Sequence, residues 1–119
     1  MAKNPNQKLK LLYLYQILMR KTDAQHKISM DELLAALSSC GIAAERKSVY
    51  SDIEALKAFG IDIMLQRGPG GGYYLASRDF ELAELKLLVD AVQSSRFITE
   101  KKSNELIGKL EHLASDPQA

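Results

Sequence analysis

The sequence predicts a mostly α-helical protein with one small β-hairpin, and three observations carry that expectation. Apolar residues recur at helical spacing in five stretches between residues 7 and 114. The second stretch has both of its ends signalled, by Ser29 with Glu32 at the start and Gly41 at the stop. Between the third and fourth stretches, two short apolar runs flank Arg67-Gly-Pro-Gly-Gly-Gly72, the pattern of a hairpin.

Residues 1–6 read as a flexible lead-in to helix one, over about residues 7–22. Leu14 centres one apolar face of that helix, with Leu11, Ile17 and Leu18. Leu9, Leu12 and Met19 fall on the opposite side, so the helix is expected to be covered twice. Helix two starts after Ser29, which with Glu32 forms a capping box, while Ile28 and Leu33 occupy the positions of a hydrophobic staple. Its buried stripe is Met30, Leu33, Leu34, Leu37 and Cys40. A turn of Gly41, Ile42 and Ala43 leads to helix three, about 44–58, whose inner stripe is Val49, Ile53 and Leu56 and which stops at Gly60.

A strand over 61–66, the glycine-rich loop and a second strand over 73–75 complete the hairpin, and the loop reads as long and mobile. Tyr73 and Tyr74 alternate faces, one toward the core and one toward the surface. A linker over 77–81 precedes helix four, about 82–95, striped by Leu82, Leu85, Leu88, Val89 and Val92. Helix five, about 99–114, carries Leu106, Leu110 and Leu113, with Thr99 as its N-cap. The order helix, helix, turn, helix, hairpin is that of a winged helix-turn-helix, here followed by a two-helix extension. Two regions follow: a winged helix over 1–78 and a helical extension over 79–119 that serves as linker or dimerisation element.

Hydrophobic residues make up 46% of the 119, enough for a packed core. The net charge of +1 conceals an asymmetry: residues 1–78 carry a net +4 and residues 79–119 a net −3. A basic front and an acidic back point the front toward a polyanion. The single Cys40 reads as a buried free thiol. No apolar run approaches the roughly 18 residues of a membrane span, and the polar N-terminus has no signal-peptide core. The expectation is a cytoplasmic protein with no membrane association.

No catalytic residue and no metal site is expected. His26 and His112 lie far apart without Cys or carboxylate at ligand spacing. Asp52 and Glu54 diverge on a helix, and Ser38-Ser39-Cys40 has no partnering His. Asp52 is expected to orient a basic side chain or backbone group inside the domain. The glycine loop is no phosphate cradle for a nucleotide: Tyr73 follows where a P-loop needs Lys-Ser/Thr, and a strand follows where a dinucleotide site needs a helix. No cofactor and no small-molecule ligand is implied.

With Val49, Ile53 and Leu56 turned inward, Lys47 and Ser51 point outward, flanked by Tyr50 and Glu54, with Arg46 to one side. Outward residues in the first half of such a helix are the ones that reach base edges in a major groove. Arg and Lys read guanine or bind phosphate, and Ser and Tyr hydroxyls do either. The loop, with Arg67 and the backbone N–H groups of Gly70 and Gly71, fits along a phosphate backbone as a wing.

The segments Ala44-Glu-Arg-Lys-Ser-Val-Tyr-Ser-Asp-Ile-Glu-Ala-Leu56, Phe59-Gly-Ile-Asp-Ile63, Gly70-Gly-Gly-Tyr-Tyr-Leu75 and Phe80 to Thr99 carry a family resemblance. Over roughly residues 8–115 the chain resembles the N-terminal winged helix, and the helices after it, of bacterial WYL-domain transcriptional regulators. The resemblance implies sequence-specific binding of double-stranded DNA. It also implies Arg46, Lys47, Ser48, Tyr50 and Ser51 as the reading edge and Arg67 in the wing. The chain departs from the family where Ala43 and Ala83 stand in place of a frequent Ser and Pro. The family's C-terminal sensing domain, with its Trp-Tyr-Leu triplet, has no counterpart in these residues, which contain no Trp. Ligand sensing is therefore not carried over.

The leading expectation is a transcription-regulator domain that binds DNA and is not an enzyme. The alternatives are a winged helix used as a protein–protein interaction module and the regulatory front end of an enzyme. Residues 82–114 are expected to form a helical pair that covers helix one and supports a homodimer.

Overall fold

The computed structural model describes residues 8–118, so the expected lead-in over residues 1–6 lies outside the described residues. The chain divides into two compact units, Met1–Ser77 and Arg78–Ala119. The first holds α1 (Lys10–Lys21), α2 (Met30–Ser39), α3 (Arg46–Phe59), β1 (Ile63–Gln66) and β2 (Gly72–Leu75). The second holds α4 (Leu82–Ser94) and α5 (Glu100–Glu111). The described residues are thus mostly helical with one antiparallel hairpin, consistent with a winged-helix-like fold.

Helix α1 buries Leu14, Ile17 and Leu18 as the periodicity predicts, but Leu11 is exposed and Lys10 is buried in its stead. The reason is angular: Lys10, Leu14, Ile17 and Leu18 share one face at helical spacing, and Leu11 lies at its rim. Leu9 and Leu12, on the other face, are exposed.

Helix α2 has both of its sequence-coded ends. The Ser29 hydroxyl accepts from the Glu32 N–H at 3.1 Å, and the Glu32 carboxylate accepts from the Ser29 N–H at 3.1 Å. At the other end the Ile42 N–H reaches the Leu37 carbonyl and the Gly41 N–H reaches that of Ser38, a Schellman closure that requires the positive φ of Gly41. Leu37 and Ile42 are both fully buried, which locks the chain's exit from the helix into the core. Cys40, expected to be buried, is half-buried because it belongs to this cap.

The turn between α2 and α3 runs over residues 40–45, longer than the expected Gly41-Ile42-Ala43. Ala43 and Ala44 offer no capping oxygen, so the helix starts only at Arg46, after an extended Glu45. Val49 and Ile53 of α3 are buried and Leu56 is half-buried against them. At the C-terminus the N–H groups of Gly60 and Ile61 both bond to the Leu56 carbonyl. Ile61 is therefore part of the helix stop, and β1 begins at Ile63 rather than at residue 61.

The hairpin pairs Ile63 with Leu75, Met64 with Tyr74, Leu65 with Tyr73 and Gln66 with Gly72. A third short segment, not foreseen from the sequence, joins it. Ile28 and Tyr73 exchange two backbone hydrogen bonds, of 2.9 and 2.8 Å. Buried Thr22 ties α1 to the same strand, its hydroxyl donating to the Leu18 carbonyl and accepting from the Leu75 N–H. Tyr73 is buried and Tyr74 half-buried, with the Lys27 ammonium 5.2 Å from the Tyr74 ring centre. The core of this unit draws on α1, α2, α3, Ile28, Ile63 and Tyr73.

In the second unit α4 and α5 form a helical pair. The Glu84 carboxylate accepts from the Glu81 N–H to start α4, and Thr99 caps α5 by accepting from the Lys102 N–H. Helix α5 ends at Glu111, short of residue 114, where the chain turns and buries Ala114 and Ser115. Leu85 is the buried apolar residue of α4, and no residue of α5 is fully buried. Among the described residues no helix is long and apolar enough to cross a membrane.

Candidate nucleic-acid interface

Three contacts orient α3, and each begins with a residue type the local sequence supplies. On the side facing α1, the buried Lys10 ammonium lies 2.6 Å from Asp52 Oδ2 and donates to the Ser48 hydroxyl at 2.7 Å. Asp52 thus orients a basic side chain, as expected from the sequence. At the N-terminus, Arg46 pairs with Asp31 in the first turn of α2. Along the inner face, Val49 and Ile53 pack into the core.

With those sides occupied, the outward face of α3 consists of Lys47, Ser51 and Glu54, spaced one helical turn apart, with the small Ala55 and Ala58 beside them. All five are exposed. Tyr50 is exposed on the flank that faces the hairpin. Ser48 departs from the expected reading edge: it is half-buried, with its hydroxyl donating to the Glu45 carbonyl as well as accepting from Lys10. Arg46 keeps an exposed guanidinium, but one held by Asp31.

Between α3 and the hairpin lies an open cleft of about 820 Å³. Tyr50, Glu54 and Lys57 line it from the helix, and Gln66, Arg67 and Gly71 from the hairpin. Tyr73 forms part of its floor. Burial pushes the Tyr73 hydroxyl above the ordinary phenol value of 10.0, nearby Tyr50 and Glu54 add to the rise, and Arg67 opposes it. Tyr73 therefore remains a neutral hydroxyl at neutral pH. Lys57 Nζ stands 3.7 Å from Glu54 Oε1, a loose pair in which both side chains are largely open to water.

The loop is built from close backbone approaches. A Cβ on Gly71 would stand 2.1 Å from the Gln66 carbonyl oxygen, and one on Gly72 would stand 2.5 Å from that of Ile28. Gly71 and Gly72 thus let the hairpin close and let Ile28 join it. Gly70 is exposed at the tip with positive φ.

Sequence reasoning brought Tyr50, Arg67 and Gly71 to what proves to be one cleft, and left Lys47 and Ser51 on the face beside it. It missed Lys57, Asp31, Thr22 and Lys10. Lys10 had a signal: it continues the Leu14–Ile17–Leu18 stripe by one turn toward the N-terminus, and a cation on such a face calls for an acid partner where it is buried. No group of His, Cys, Asp or Glu able to hold a metal occurs among the described residues. No protein-family model matches the chain, and no significant match to it is found among curated proteins or solved structures.

Proposed function

We propose that the first unit is a sequence-specific double-stranded DNA-binding domain of a cytoplasmic transcription regulator, without enzymatic activity. The observation that carries this reading is the shared cleft. Tyr50 on α3 and Arg67 and Gly71 on the hairpin loop line one concavity, beside an outward row of Lys47 and Ser51. A helix with such a row enters a major groove, and a glycine-rich loop with one arginine follows the neighbouring phosphates. The net +4 of residues 1–78 and the resemblance to the winged helices of WYL-domain regulators favour the same partner. In this reading Lys47, Tyr50 and Ser51 meet bases, Arg46 and Arg67 meet phosphates, and Ser48 supports the helix from behind.

The test is binding of the full chain to duplex DNA across a salt series. With about 4–6 phosphate contacts the log–log slope is about −4 to −5. Salt-independent binding, or none at low salt to any selected duplex, sinks the proposal.

A second reading, a protein–protein interaction module, is favoured by Phe59, Met64 and Leu65. These large apolar side chains are exposed at the end of α3 and along β1. It predicts that substitutions at these three residues, and none in the Lys47–Ser51 row, abolish partner binding.

A further inference from the structure

Glu54 poses a problem that the DNA-binding reading does not absorb. It continues the outward row of Lys47 and Ser51 and also lines the cleft that Arg67 borders. Its side chain is 73% exposed, and Lys57 at 3.7 Å leaves the carboxylate with open acceptor positions. A carboxylate docked beside phosphates is repelled unless a donor meets it, and removing it from water without one is costly. Ala55 and Ala58 on the same face are small, so nothing at this level of the helix holds a duplex away. The distance from Lys47 to Glu54 is two helical turns, about 10 Å, within the roughly 12 Å width of a major groove. Base-edge donors there are the amino groups of cytosine and adenine. Cytosine N4 is the matching partner for a carboxylate, because adenine sets an N7 acceptor beside its donor.

We propose that Glu54 is a specificity-determining residue that accepts a hydrogen bond from the N4 amino group of a cytosine in the bound duplex. This rests on the DNA-binding reading of α3. Glu54 then works by difference: it lowers affinity for every duplex through repulsion and recovers it only where a cytosine stands opposite. Lys57, one turn on, offsets part of the charge toward the neighbouring phosphates.

The experiment is selection of bound sites from a random duplex pool by the full chain and by its Glu54→Ala and Glu54→Gln variants. Thermal midpoints serve as a check on folding, since Glu54 is exposed and neither substitution disturbs the core. The natural chain is expected to select a C·G pair at one position with about tenfold discrimination. Glu54→Ala is expected to select the same site with that position degenerate, and to bind random duplex several-fold more tightly. Glu54→Gln is expected to change the preferred base there from cytosine to adenine, because an amide pairs with adenine N6 and N7 together. If both variants select the unaltered site with unaltered discrimination, the assignment of Glu54 is overturned and DNA binding stands. If the natural chain itself binds no duplex, the reading of α3 falls and this assignment falls with it.

Discussion

Lys10 on α1 and Asp52 on α3 are 42 residues apart in the chain, yet their charged atoms are 2.6 Å apart, with the Ser48 hydroxyl held by the same ammonium. The pair sits on the side of α3 opposite the cleft. It fixes the rotation of the helix about its own axis, and with it which residues face outward. Removing one partner leaves a shielded charge without its counter-ion. Lys10→Met is therefore expected to destabilise the first unit by about 3 kcal/mol. Adding Asp52→Asn is expected to restore much of that loss, a coupling that urea unfolding of the two single variants and the double variant measures. Additive losses are the result that refutes it.

Helix α3 and the loop are expected to contribute differently to DNA binding. Lys47→Ala or Tyr50→Ala should reduce the preference for a selected site over random duplex, by about 1–3 kcal/mol where a good base contact is lost. Arg67→Ala should weaken binding to both alike and flatten the salt slope by about one unit. Parallel titrations of selected and random duplexes separate these outcomes. Base preference governed by Arg67 and indifferent to Lys47 reverses the docking proposed.

The glycines of the loop are expected to differ in cost. Gly72→Ala drives a Cβ into the Ile28 carbonyl and breaks the two-bond bridge between Ile28 and Tyr73, a loss of about 2–4 kcal/mol. Gly70→Ala meets open space and carries only the penalty of positive φ, about 1 kcal/mol. Chemical denaturation ranks them, and equal losses disprove the account of the bridge.

What the sequence discloses about this fold is local. Ser29 and Glu32 encode the start of α2 in side-chain hydrogen bonds and Gly41 encodes its end by adopting positive φ, all within five residues, and the observed caps are those bonds. The sequence places the start of α3 two residues ahead of the observed Arg46, because Ala43 and Ala44 carry no signal of either kind. The Ile28–Tyr73 bridge was invisible because a single isolated pairing has no periodicity. It depends instead on Gly72 lacking a side chain, a condition that reads in sequence only as loop. For the candidate interface, outward positions on α3 follow from the inner stripe. The inward turn of Ser48 required knowing that Lys10 stands behind it.

Alkaline pH should expose the role of Tyr73. Its folded-state value is raised, first by burial, from an ordinary 10.0. The native state therefore holds the phenolic proton more tightly than the unfolded chain. The corresponding stability is fully present below pH about 10 and is lost as the pH climbs through the folded value. Tyr73→Phe should remove that share of the alkaline decline. Unfolding free energies measured on both sides of pH 10 test this, and an unaltered slope in the variant contradicts it.

The last expectation concerns the helical pair. Its inner residues Leu82, Val89, Val92, Leu106 and Leu110 are only partly buried, and Leu85 and Ala114 are its buried apolar residues. On the outer side of α4, Ala83, Leu87, Leu88 and Ala91 are all exposed, with Leu87 at 70%. Two helices that bury so little of their apolar surface are marginal alone, and a stripe of small residues and leucines packs well against a copy of itself. Homodimerisation through residues 82–114 is therefore expected. It would bring two copies of α3 to one duplex, about one DNA turn (roughly 34–36 Å) apart, and favour inverted-repeat sites. Sedimentation equilibrium of the full chain should show a dimer at tens of micromolar, and Leu87→Glu should shift it to monomer without changing the fold of the first unit. The competing arrangement, in which the apolar stripes of the pair are used up within one chain and leave nothing over for a partner, predicts a monomer that Leu87→Glu leaves unaltered. A dimer insensitive to Leu87→Glu and Leu88→Glu together would move the contact away from α4.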